Sequence, residues 1–147
     1  MSDLEIGQVL WLVLRFNNNG DVSKTRHPYL IVDIDDCLGT IELAQMDSLD
    51  GKEYKAFLKS NKVIYSDDPI ETVVSKDGYA QLDNTFLIEQ CSELACFRKT
   101  NDKLSAVKLN EVVNAYMNYH KTHHIDENKS IYITRSELLL LNPIKTK

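Results

Sequence analysis

The first half of the chain alternates apolar blocks with short polar turns, a pattern that predicts β-strands. Residues 9–14 form an unbroken apolar run, VLWLVL, which is typical of a strand buried on both faces, or on one face and an interface. Pro28 cannot donate a ladder hydrogen bond, so it marks the start of a second strand through residues 29–34. A turn at residues 36–39 leads to a third strand, TIELAQM, and these two strands are predicted to form a hairpin.

The middle of the chain is predicted to hold a short helix and several short strands. Four lysines recur at helical spacing between residues 52 and 62, and so do Tyr54, Phe57 and Leu58. This spacing predicts a short amphipathic helix. The segments VIYS, ETVV, YAQL and TFLIEQ that follow are short, β-type and separated by turns.

The clearest helix prediction lies in the segment that starts at Leu104. Asn101 or Asp102 is predicted to cap this helix. Its apolar side chains form one stripe with a period near 3.6 residues. They are Leu104, Val107, Val112, Tyr116 and Tyr119.

The end of the chain is predicted to add a strand, SIYI, and a short helix. Thr134 and Glu137 have the spacing of a capping box ahead of four leucines. Many short strands followed by a long helix indicate an α+β fold, an antiparallel β-barrel or strongly bent sheet with helices added. With no repeat or linker in the sequence, we expect a single domain over residues 1–147.

Composition is that of an ordinary globular protein, and it bears on the cellular location and on the state of the cysteines. The chain has 147 residues, of which 43% are hydrophobic and 27% charged. No apolar run is long enough to span a membrane, and the first residues lack the layout of a signal peptide, so we predict a cytoplasmic protein. The three cysteines are odd in number and form no C-x-x-C pair, which favours reduced structural thiols.

Charge is unevenly distributed along the chain. The net charge is −5, which disfavours a protein that coats nucleic acid throughout. Residues 52–62 nevertheless contain four lysines and one acid. That segment could attract phosphates in a sequence-independent manner.

Two clusters of side chains could bind a metal ion, and each has a simpler interpretation. His120 and His124 are four residues apart with Asp126 nearby, a set that could share one ligand face, yet histidines also suit a polar helix end. The three acids of DIDD, at residues 33–36, could bind a hard cation but are more typical of a solvated turn. We predict no metal and no cofactor, and the sequence contains no Walker loop, G-x-G-x-x-G or G-x-S-x-G motif.

Arg26 and His27 stand where a flexible loop meets a predicted strand, a common location for functional groups. The planar guanidinium of arginine matches the oxygens of a phosphate and keeps its charge. His27 precedes Pro28, so its backbone is biased towards an extended conformation. Neighbouring side chains of an extended chain point to opposite faces, so we expect the two residues not to act as one cluster.

Four motifs occur together in an order that resembles the MazF/PemK-type toxins, the endoribonucleases of bacterial toxin–antitoxin pairs. They are IGQVLWLVL, TRHPYLIV, TIELAQMDS and DGYAQLDNTFLIEQ, and the helix from Leu104 follows them. The resemblance covers about residues 6–119, and residues 120–147 form an extra tail. It implies a small antiparallel SH3-like β-barrel with a long C-terminal helix, and a symmetric homodimer.

The resemblance also implies an activity and the residues that perform it. The activity is metal-independent cleavage of single-stranded RNA by attack of the 2′-hydroxyl, under the control of a cognate antitoxin protein. Arg26 matches the family's arginine, and Ser48 is the nearest match to its hydroxyl residue. His27 is a candidate general base, because histidine titrates near neutral pH. The RNA-binding candidates are Lys24, Lys52 and Lys55.

One departure from the family pattern keeps a second hypothesis open. Where the family commonly has an arginine-containing motif after Glu-Gln, this chain has Cys91, Ser92 and Glu93. A cation is replaced by an acid, which would repel RNA if it lay in the groove. The alternative is therefore a non-catalytic module on the same fold that binds a protein or RNA partner.

Overall fold

The computed structural model describes residues 4–64, 77–100 and 102–144. These residues contain seven strands and two α-helices, joined by short 3₁₀ turns. The strands are β1 Val9–Leu12, β2 His27–Asp35, β3 Thr40–Ser48, β4 Asn61–Ile64, β5 Gly78–Gln81, β6 Thr85–Glu89 and β7 Ser130–Ile133. The helices are α1 Ala106–Thr122 and α2 Arg135–Leu141. The predicted α+β class is confirmed.

The strands form one mainly antiparallel sheet that branches at β3. The order runs β1-β2-β3-β5-β4, while β6 pairs with the first half of β3 and then with β7. The β6–β7 pair is parallel, and the other pairs are antiparallel. The hairpin predicted from β2 and β3 is confirmed, and its register shifts between Ile31 and Asp33, which marks a bulge.

The expected closure into a barrel is wrong for the strands that the structure describes, because their pairings leave the sheet open. The outer edge of β1 is covered in another way. Arg98 forms a bridge with Leu10 on one part of that edge. Further along, the side-chain amide of Asn142 bonds both the N–H and the C=O of Val13, at 2.7 and 2.8 Å. An edge protected by these segments needs no further strand.

Both faces of the sheet are packed, which explains the apolar runs that do not alternate. Tyr29 and Ile31 of β2 belong to one core cluster, and Leu30 and Val32 belong to the other. Helix α1 covers the second cluster, whereas α2 and the turn Ser92–Phe97 contribute to the first. A strand that is buried on both sides has a continuous hydrophobic sequence.

The helices predicted in the middle of the chain and from Leu104 differ from those in the structure. The predicted amphipathic helix at residues 52–62 is a single 3₁₀ turn, Glu53–Phe57, that buries none of its side chains. In the structure α1 begins after Ser105 rather than after Asp102, while Asn101 lies outside the described residues. Val107 faces solvent and does not belong to the apolar stripe.

The predicted end of the chain agrees better with the structure. The strand SIYI is β7, and the hydroxyl of Thr134 accepts the N–H of Glu137 at 3.2 Å, as the capping-box spacing predicts. The predicted strand ETVV, residues 71–74, lies outside the described residues. None of the helices in the described ranges has the length and apolar character needed to cross a membrane.

Candidate functional site

An open cleft of about 670 Å³ lies on one face of the sheet, between strands β2, β3, β4 and β5. Strand register brings alternate residues to this face. Tyr29 pairs with Gln45, and Asn61 pairs with Gln81. The floor consists of His27, Tyr29, Gln45, Asn61, Tyr79 and Gln81. Because side chains alternate along a strand, four strands together present one polar surface here.

Loops around this floor supply positive charge. Lys24 comes from the loop before β2, Lys55 from the 3₁₀ turn after β3, and Lys129 from the turn before β7. Among the described residues Asp83 is the acid that lines the cleft, and it accepts a hydrogen bond from the Lys129 ammonium at 2.8 Å. The described lining therefore carries more positive than negative charge in a chain whose net charge is −5.

Two buried hydroxyl groups line the same cleft. The Ser23 Oγ and the Tyr79 Oη are shielded from solvent and have no hydrogen-bond partner in the part of the chain that the structure describes. The ammonium of Lys55 lies 5.9 Å from the centre of the Tyr79 ring, a cation–π contact. Buried hydroxyls are nearly always hydrogen-bonded in proteins, so this pair is an unusual feature of the cleft wall.

Asp47 interacts electrostatically with His27 but is not among the residues that line the cleft. Its carboxylate accepts the Lys52 ammonium at 2.6 Å and the Ser48 N–H at 2.8 Å. Burial raises the pKa of Asp47, but these two donors and nearby His27 outweigh it, so the pKa lies below its ordinary value. Lys52 is engaged by this carboxylate and lies outside the cleft lining, unlike Lys24 and Lys55.

Arg26 lies in a second, smaller depression of about 310 Å³, apart from the cleft that contains His27. The expected separation of these two side chains is thus present in the structure. Ser48 ends β3, and its hydroxyl accepts the Asp50 N–H at 3.1 Å, which closes a turn. Neither Arg26 nor Ser48 lines the large cleft, so the structure does not bring this pair together with His27.

Glu93, the acid that departs from the family pattern, also lies outside the cleft. Both of its carboxylate oxygens accept hydrogen bonds from the Arg135 guanidinium at the start of α2. This side-chain hydrogen bonding lowers the pKa of Glu93 to about 2. A cation from the extra tail therefore neutralises the acid, and Glu93 does not face the lysines around His27.

The histidines at the end of α1 pack against tyrosine rings. His120 packs on the ring of Tyr116 with centres 4.1 Å apart, and His123 stacks on Tyr119 at 4.0 Å. Among the described residues no group of three or more His, Cys, Asp or Glu side chains is placed to hold a metal ion.

The acidic turn DIDD closes on itself, as its simpler interpretation predicts. The carboxylate of Asp35 accepts the N–H groups of Cys37 and Leu38 at 3.0 Å each. Asp36 accepts the side-chain amide of Gln90 at 3.1 Å. These contacts are typical of an acid that caps a turn.

Of the site residues predicted from the sequence, His27, Lys24 and Lys55 line the cleft, and the other residues of its lining are not predicted. Tyr79 and Gln81 stand two residues apart in GYAQL, and this alternation was a usable signal for one polar face. Lys129 carries no such signal, because only the fold brings it into the same cleft as Lys24. Comparison of the sequence with models of known protein families and with curated proteins gave no match.

Proposed function

We propose that the chain is a toxin-like endoribonuclease of the MazF/PemK type, which cuts single-stranded RNA in the cleft around His27. One observation carries this proposal. A histidine lies in the same open cleft as three lysines and two buried hydroxyl groups that have no hydrogen-bond partner among the described residues. That set suits a phosphodiester and needs no nucleophile from the protein, because RNA supplies its own 2′-hydroxyl.

Each part of the cleft has a role in the proposed reaction. His27 accepts the proton of the 2′-hydroxyl, whose oxygen attacks phosphorus as the bond to the 5′-oxygen breaks and that oxygen takes a proton from water. General base catalysis of this kind contributes about 10²–10⁴ in rate. Lys24 and Lys55 offset the negative charge that develops on the phosphate. The products are a 2′,3′-cyclic phosphate and a 5′-hydroxyl.

Arg26 and Ser48 carry the family resemblance, but His27 is the better candidate for this chain's chemistry. His27 follows Arg26 directly and lies in the large cleft. From the resemblance we also propose a single cytoplasmic domain that forms a homodimer and binds a cognate antitoxin protein. The open sheet is then a variation on the family's barrel.

The proposal is tested with purified protein and a panel of single-stranded RNAs in the presence of EDTA. We expect fragments that end in a 2′,3′-cyclic phosphate, and growth arrest when the chain is expressed in a bacterial host. Matched single-stranded DNA, which lacks the 2′-hydroxyl, is the control and stays intact. RNA that remains uncut over a broad panel would rule out this function.

A second candidate is a non-catalytic module that binds RNA or a protein through the same cleft. The observation that favours it is the position of Arg26, which leaves the cleft without a guanidinium for the phosphate. Asp83 also offsets the charge of Lys129. This candidate predicts binding without turnover, so cleavage that depends on His27 excludes it.

A further inference from the structure

The smaller depression beside β1 combines an aromatic ring with three cationic side chains. It is lined by Trp11, Arg26, Cys96, Phe97, Arg98 and Lys99, and it has no acidic residue among these. Trp11 is 38% exposed although it belongs to a strand whose neighbours Leu10 and Leu12 are completely buried. A large aromatic side chain held at the surface among cations is an arrangement suited to a ligand that is both flat and anionic.

We propose that this Trp11–Arg26 depression is a nucleotide subsite, which holds one base of a single-stranded RNA against the Trp11 ring and an adjacent phosphate on Arg26. Stacking on an aromatic ring accepts any base, because every base has a π-face. The guanidinium of Arg26 offers a planar fork to a phosphate and is exposed. A volume of about 310 Å³ lies at the small end of ligand pockets, which suits one nucleotide.

Position within the fold favours RNA over an acidic peptide as the occupant. Arg26 and His27 are consecutive residues, with Cα atoms about 3.8 Å apart, yet one lines the depression and the other lines the cleft. A strand of RNA that leaves the cleft and passes around the start of β2 has only this short backbone step to cross before it meets Arg26 on the other side. Two of the lining cations are arginines, which can also stack on a base.

This subsite extends the proposed endoribonuclease function, since it assumes that the polymer in the cleft is RNA. In this subsite Trp11 binds a base, and Arg26 binds a phosphate other than the one that is cleaved. Loss of the subsite should therefore weaken RNA binding while the chemical step at His27 persists. The two proposals make separable predictions for the same protein.

The test uses the intrinsic fluorescence of Trp11, which is the only tryptophan in the chain. The probe is a 2′-O-methyl oligonucleotide of about ten nucleotides, which lacks the nucleophile and stays uncut. We expect saturable quenching of the emission by the oligonucleotide. A poly-glutamate peptide of matched charge is the competing probe, and quenching by the peptide alone would overturn the proposal, as would no quenching by either probe.

Variants then connect the quenching to the depression. Trp11→Ala should weaken oligonucleotide binding, measured by anisotropy of a labelled probe, roughly 5- to 150-fold, whereas Trp11→Phe keeps a ring and most of the affinity. Arg26→Ala should lower the slope of log affinity against log salt by about 0.7, the value for one phosphate of a single strand. Tyr132→Ala and Lys121→Ala remove an exposed ring and an exposed cation elsewhere and serve as matched controls.

The outcome for the subsite is distinct from the outcome for the proposed function. Quenching that depends on Arg26, in a protein that cuts no RNA, supports the subsite and removes the endoribonuclease. Cleavage by wild type with unchanged affinity in both Trp11→Ala and Arg26→Ala keeps the endoribonuclease and overturns the subsite. Circular dichroism establishes that each variant is folded before its affinity is compared.

Discussion

Arg26 and His27 are neighbours in the chain, yet their side chains line two separate depressions of the surface. The cause is local. His27 is the first residue of β2 and precedes Pro28, which holds it in an extended conformation where successive side chains point to opposite sides. A cationic cluster in the sequence is thereby divided into a candidate general base in the cleft and a cation outside it.

Substitution of His27 and Arg26 should therefore have different effects on RNA cleavage. We expect His27→Ala to lower the rate of the chemical step about 10²- to 10⁴-fold, because the general base is lost. Arg26→Ala should raise KM and leave the single-turnover rate at saturating RNA close to that of the wild type. Single-turnover kinetics measure both quantities. An Arg26→Ala variant that loses the chemical step while His27→Ala keeps it would assign catalysis to the arginine instead.

The sequence was sufficient for the order of elements because apolar periodicity and Pro28 are local signals. β2, β3 and α1 follow from them directly. The failure at residues 52–62 has a physical cause, because helical spacing says nothing about whether a surface is available to pack on. Phe57 is 88% exposed, so its segment gains no burial that would extend the 3₁₀ turn.

Two residues of the cleft could not be predicted from the sequence, because their positions depend on strand register and on pairing between distant segments. Tyr79 faces the cleft only because β5 pairs with β3 in one register, in which Tyr79 is opposite Asp47. Lys129 reaches the same cleft through the parallel pairing of β7 with β6. Both relationships join segments far apart in the chain, and a shift of one residue would turn these side chains to the other face.

Asn142 should be a strong determinant of stability, because its buried amide takes the place of a neighbouring strand at Val13. Asn142→Ala leaves the partly buried N–H and C=O of Val13 without these partners, and a polar group left unpaired away from water costs about 1–3 kcal/mol. We expect the free energy of unfolding to fall by at least about 2 kcal/mol in urea denaturation. Asn114→Ala, at an exposed position of α1, is the matched control. An equal effect of both changes would contradict this role.

The pair of Glu93 and Arg135 should make stability depend on acid pH. The hydrogen bonds from Arg135 lower the pKa of Glu93 from 4.5 to about 2. A carboxylate with a lowered pKa stabilises the folded state above its ordinary pKa, and this contribution is lost as pH falls through about 2. We therefore expect Glu93→Gln to flatten the decline of unfolding free energy between about pH 4.5 and pH 2.

The acid-pH effect of Glu93 is separated from that of other carboxylates by a double-mutant cycle. In an Arg135→Gln background, Glu93→Gln should change the pH profile of stability much less than in wild type, since the partner is already gone. Glu53→Gln, which alters an exposed acid on another surface, is the control. Identical profiles for wild type and Glu93→Gln would show that the pair has no role in stability at acid pH.

Tyr116 connects α1 to the sheet through a hydrogen bond from its hydroxyl to the Glu42 carboxylate, at 2.6 Å. Burial, followed by the negative charge of Glu42, raises the pKa of Tyr116 above its ordinary value. A raised pKa means that this group's contribution to stability is complete below about pH 10 and is lost as pH rises further. We expect Tyr116→Phe to cost about 1–3 kcal/mol at neutral pH, because the partly buried carboxylate of Glu42 loses a donor.

Stability at alkaline pH is a second test of the hydrogen bond between Tyr116 and Glu42. In Tyr116→Phe the decline of stability above about pH 10 should be shallower than in wild type, since one tyrosine that resists ionisation in the folded state is absent. Tyr132→Phe, a half-exposed tyrosine of β7, is the matched control and should leave the neutral-pH stability unchanged. If Tyr116→Phe has the free energy of unfolding of wild type at neutral pH and loses stability as steeply above about pH 10, the hydrogen bond to Glu42 does not hold α1 against the sheet.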